Sequence, residues 1–128
     1  MTDRIGALPD YARIALAAIR LVNGLMALFT PGALLRRLGV NPKSNSFALY
    51  ALRMFGIRTI LIGVGLLLPA GDVRTWSLRT APLIHGSDTV AAFMLARRGT
   101  MPRRSGVTVV VISMTNVVLS VVALRRRA

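Results

Sequence analysis

Seven side chains carry most of the chemistry this chain can offer: Arg20, Asn23, Arg53, Arg58, His85, Asp88 and Asn116. All of them stand inside long apolar runs. Arg20 and Asn23 are three residues apart, as are His85 and Asp88, so each pair shares one face of a helix. A guanidinium beside a carboxylate forms an ion pair; without one, it takes a phosphate or carboxylate from elsewhere. Here three arginines face a single acid, Asp88, which leaves two positive charges unmatched. Two readings stay open. In one, Arg58 and Asp88 pair to fix helix register while the other arginines reach out to headgroups. In the other, the polar belt binds an anionic group or meets a carboxylate on another chain.

Other chemistries are poorly served. His85 is the only histidine and there is no cysteine, so His85 and Asp88 fall short of the three or four ligands that zinc needs. No zincin helix, phosphate-binding glycine loop or nucleophile elbow occurs. The expectation is a protein that is not an enzyme and holds neither metal nor cofactor. Aromatic residues make up 5% of the chain, too few to stack bases, so nucleic acid is not the expected partner despite the net charge of +13.

The elements that must position these residues follow from composition and length. Of 128 residues, 54% are hydrophobic, and 17 Lys or Arg stand against 4 Asp or Glu. Water would reject the apolar runs, whereas a bilayer accepts them and places the arginines at its surfaces. A hydrocarbon core about 30 Å thick takes roughly 20 helical residues to cross. Four such segments are present: 12–29, 46–68, 78–95 and 107–124. The third is the least apolar. The valines of the fourth suit a strand in water, but a lone strand in lipid leaves its backbone unpaired, so a helix is expected. The first segment is too long for a signal-peptide core and reads as a retained helix. Between the first two spans, residues 32–40 put Leu34, Leu35 and Leu38 on one face, which predicts a short helix lying in the headgroup plane. The predicted fold is therefore all-α: a single domain over residues 1–128, an integral membrane four-helix bundle with a short interfacial helix.

Treating consecutive spans as antiparallel hairpins gives depths. Arg58 falls level with Asp88, Arg20 level with Gly56, and Asn116 near His85. The five polar groups then form one belt across the bundle. Gly56, Gly63 and Gly65 punctuate the second span, and small residues let membrane helices approach closely.

The net charge divides into +2 within the spans and +11 outside them. Arg36, Arg37, Arg97, Arg98, Arg103, Arg104, Arg125, Arg126 and Arg127 are expected to contact anionic phospholipid headgroups. Basic residues divide evenly between the two sides of a four-span arrangement, so the positive-inside rule does not orient it. The Arg125–Arg127 triplet directly after a span points to an inner (plasma) membrane protein with both termini cytoplasmic. Tyr50 and Trp76 stand near span ends, where amphipathic rings anchor.

Arg53, Gly56, Arg58 and Gly63, followed in the next span by Asp88 and Phe93, resemble the pattern of DoxX-like small four-helix membrane proteins. The similarity runs from about Leu52 to Leu95. The Arg, Ala and Val usage also looks like an actinobacterial accessory protein, similar to the LucB-type subunits of mammalian-cell-entry (MCE) lipid importers. That resemblance implies docking beside permease subunits, not transport by this chain. The expected function is a non-catalytic accessory or assembly subunit whose partners are larger membrane-complex subunits and anionic phospholipids. An independent lipid-binding protein or carrier, or a redox-associated DoxX-like protein, is the alternative.

Overall fold

The computed structural model describes residues 2–125, and no strand occurs among them. Five α-helices follow one another: α1 (Thr2–Phe29), α2 (Pro31–Arg37), α3 (Ser46–Leu67), α4 (Asp72–Arg97) and α5 (Arg103–Leu124), with a single 3-10 turn at Pro42–Ser44. The all-α expectation holds, including for the valine-rich α5. Three of the helices, α1, α3 and α5, are long and apolar enough to cross a membrane. Helix α4 has the length, at 26 residues, but not the mean hydropathy of the other three. Its composition explains this, because Asp72, Arg74, Arg79, His85, Asp88 and Arg97 all lie within it.

Helix ends also move. The first helix starts at Thr2 rather than Ala12 and continues through Pro9. Asp10 sits on that added length, its carboxylate 3.7 Å from the guanidinium of Arg13 three residues on. The fifth helix starts at Arg103, one turn before the apolar run, because Pro102 stands at its N-cap. The short α2 spans Pro31–Arg37 and is closed by a glycine cap. Gly39 takes φ +77°, which an L side chain rarely adopts. Its amide donates to the Arg36 carbonyl at 3.0 Å, and the next amide, Val40, donates to Leu35 at 2.9 Å.

Glycines set how the long helices meet. Helix α1 packs chiefly on α3 and α5, and α4 on α5, while α3 and α4 touch more sparingly. A Cβ on Gly56 would stand 2.8 Å from the Gly24 carbonyl oxygen and from the Leu28 amide, and one on Gly24 would stand 2.9 Å from the Gly56 oxygen. A Cβ on Gly63 would come within 3.0 Å of Leu21. Gly65 faces the other way, where any Cβ would run into the Ser77 hydroxyl of α4. The antiparallel register thus puts Gly24 across from Gly56. The expectation that Arg20 lies level with Gly56 is off by four residues, about one helical turn. The cause is the connection: α2 and the 3-10 turn let α3 enter the bundle a turn before α1 leaves it.

The interior is small and partly polar. Leu16, Ala17, Leu66 and Ala81 are fully buried, but so are Thr59, His85 and Ser120, and Arg20 and Asn116 nearly so. Large apolar side chains point outward instead, among them Leu61, Leu83, Val90, Val111 and Val118. Such an arrangement matches an apolar solvent better than water.

Candidate functional site

The polar cluster forms where α1, α3 and α4 converge. On α4, Leu78, Ala81, His85, Asp88 and Ala92 recur at steps of three and four and line the inward stripe. His85 is completely buried there, and Asp88 is one turn further on. Arg20 reaches across from α1, with only 3% of its side chain exposed. Its Nε donates to His85 Nε2 at 3.4 Å, and its Nη2 also meets the imidazole at Nδ1. The same Nη2 donates to Asp88 Oδ2 at 3.3 Å. From α3, Arg58 Nη2 donates to the other carboxylate oxygen, Oδ1, at 3.2 Å. One carboxylate therefore holds two guanidiniums, one buried and one half exposed.

Chain polarity around the cluster is otherwise kept within the helix. Thr75, Thr80, Ser87 and Thr89 of α4 each donate a hydroxyl to a carbonyl three or four residues earlier. Hydroxyls bonded this way need no water.

Beside the cluster lies a cavity of about 650 Å³. Arg20, Asn23, Asp88 and Asn116 form its polar end. Leu38, Leu52, Phe55, Leu95, Val109 and Ile112 supply apolar wall. Arg37, the last residue of α2, and Arg104, in the first turn of α5, line it as well. Gly39 and Pro102 bring those two segments together: a Cβ on Gly39 would stand 2.7 Å from the Pro102 ring.

The seven polar residues expected to work together separate into three groups. Arg20, Arg58, His85 and Asp88 meet directly. Asn23 and Asn116 join Arg20 and Asp88 through the cavity. The antiparallel packing of Ala96 on Gly106 carries Asn116 to the level of Gly86, beside His85. Arg53 stands apart, exposed on α3, and takes no part in the cluster or the cavity wall. The reason is helical phase: five residues from Arg58, it projects well away from Arg58 around the helix. Of the arginines expected at headgroups, Arg36, Arg37, Arg97, Arg98, Arg103, Arg104 and Arg125 are all exposed, and the guanidinium of Arg97 lies 5.8 Å from the Phe93 ring. Arg126 and Arg127 lie outside the described residues.

Several participants escaped sequence reasoning. Gly24 is the partner of Gly56, and a search for small residues on α1 would have found it. Thr59 is buried with no hydrogen-bond partner for its hydroxyl, and nothing in its sequence context distinguishes it. At the other end of the molecule, Arg13 donates to the Leu66 carbonyl at 2.6 Å, closing the last turn of α3. Asp10 joins Arg13 to Arg74, whose guanidinium is 3.9 Å away. The three-residue spacing of Asp10 and Arg13 was the available signal. No group of three or more metal-ligating side chains occurs among the described residues.

Comparison with protein-family models, with curated proteins and with solved structures finds no match to this chain.

Proposed function

We propose that this chain is a four-span integral membrane protein, both termini cytoplasmic, that serves as a non-catalytic accessory subunit of a larger membrane complex. The carrying observation is Arg58. It stands in the middle of a helix long and apolar enough to cross a membrane, with 51% of its side chain exposed. Its neighbours on the outer face are Met54, Ile57 and Leu61. Its one acid, Asp88, is already shared with Arg20. A half-exposed, half-neutralised guanidinium at that depth is costly in lipid. An acidic or strongly polar side chain of a neighbouring subunit removes the cost. The resemblance to MCE-type accessory subunits suggests a lipid importer as the complex.

Helix α4 counts as the fourth span on the direction of its side chains. His85, Asp88 and Ser77 lower its mean hydropathy from inward positions; outward it presents Trp76, Leu83, Val90 and Met94, with Arg79 exposed between them and Asp72 and Arg97 exposed at its two ends. Lipid meets the outward stripe, not the average. Because the chain has no cysteine, single cysteines at Gly71 and at Gly99 report topology directly. Four spans require these two loops to label from opposite sides of the membrane.

The subunit reading is tested by purification from native membranes in mild detergent, followed by mass spectrometry. A larger protein in stoichiometric amount is expected, and Arg58→Leu should lose it while the protein itself still extracts folded. A clean monomer or homodimer would sink the reading.

A further inference from the structure

The cavity beside the polar cluster carries its own charge imbalance. Three guanidiniums, of Arg20, Arg37 and Arg104, line it against one carboxylate, Asp88. Arg20 is committed to His85 and Asp88, but Arg37 and Arg104 make no ion pair among the described residues. They sit at the ends of two helices that Gly39 and Pro102 hold together. From Arg104 to Asn116 the cavity follows α5 for twelve residues, about 18 Å, a little over half of a ~30 Å hydrocarbon core. Between those levels the wall is mostly apolar, with Phe55, Leu95, Val109 and Ile112, and carries the hydroxyls of Ser105, Thr108 and Ser113. At the deep end Asn116 is nine-tenths buried, lines the cavity, and has no partner for its amide oxygen.

We propose that this cavity binds one single-chain anionic amphiphile, its carboxylate or phosphate held between Arg37 and Arg104 and its chain running inward to Asn116. Charge complementarity selects the head, since two unpaired guanidiniums recognise an oxyanion. The apolar wall selects a chain. A volume of about 650 Å³ lies in the usual range for one small guest and is too small for a two-chain lipid as well. The length of the apolar stretch matches a tail confined to one leaflet. The proposal concerns the isolated chain and does not need a partner subunit, so loss of co-purification leaves it standing.

The test uses the full chain in nanodiscs of zwitterionic lipid. Four radiolabelled probes are compared: palmitate, lysophosphatidate, hexadecanol and inorganic phosphate. Saturable binding near one equivalent is expected for palmitate or lysophosphatidate, at least tenfold weaker binding for hexadecanol, and none for phosphate alone. Which of the two anionic probes is tighter distinguishes a carboxylate guest from a phosphate one. R37Q with R104Q should weaken binding at least tenfold, and R37K with R104K should retain most of it. Ala91→Trp, which fills the cavity from an exposed position on α4, should weaken binding similarly without touching a charge. Arg125→Gln, outside the cavity wall, should change nothing. Non-saturable uptake, equal binding of hexadecanol, or full binding by both the charge-neutral and the cavity-filled variants would overturn the proposal. Thermal denaturation of each variant separates a lost site from a lost fold.

Discussion

Helix α1 meets α3 and α4 in opposite ways. Against α3 it presents Gly24, and the two backbones come so close that a single Cβ on Gly24 or Gly56 collides. Against α4 it presents Arg20, whose long side chain spans the gap to His85 and Asp88. The first seam is close-packed and tolerates no added atom. The second is held by directional charge-assisted bonds with a cavity beside it. In an apolar solvent there is little hydrophobic drive to press helices together, so packing and polar bonds must do it. This molecule divides the two means between the two sides of one helix. The glycine side fixes position, and the polar side leaves a cavity beside it.

Substitutions can break that contrast. Gly56→Leu should have the largest effect, because its side chain meets backbone atoms that cannot step aside; we expect about 3 kcal/mol or more of destabilisation, read from the denaturation midpoint in mixed micelles. Asp88→Asn comes next, at about 2–4 kcal/mol, since it strips the buried Arg20 of its counter-charge. A costlier Asp88→Asn than Gly56→Leu would reverse the comparison and make the polar seam the main determinant of the fold. A double-mutant cycle between Arg20→Gln and Asp88→Asn should show strong coupling, whereas additive effects would mean the 3.3 Å contact contributes nothing. Arg58→Gln should change stability by less than about 1 kcal/mol, because the lost bond to Asp88 is offset by removing a charge from lipid, while still weakening any partner contact. Arg53→Gln, outside the cluster, should stay within about 0.5 kcal/mol.

Much of the polar site was legible because helical spacing and hairpin depth are simple geometry. His85 and Asp88 are three apart and face the same way. The expected depth match of Arg58 and Asp88 takes the third segment to start near Leu78; α4 starts at Asp72, Gly65 lies against Ser77, and the long Arg58 side chain makes the 3.2 Å pair across about one helical turn. Arg20 was misjudged by a turn because depth counting assumed a direct connection, and α2 with its 3-10 turn is not one. Arg53 was included on residue type alone, whereas its phase on α3 turns it outward. At α4 a window average of hydropathy cannot tell an inward Asp from an outward one, and only the structure shows that His85 is buried on its inward face.

By itself, the sequence determined the helical class, the long apolar segments and the shortage of acids around the internal arginines, because these depend on composition and period alone. Only the tertiary structure decided that Gly24 lies against Gly56, that two arginines share one carboxylate, and that Arg37 and Arg104 border the same cavity as Arg20 and Asn116. Each of those depends on register between helices distant in sequence. Register is set by close contacts of a few ångströms, and no count of residues along one helix contains them.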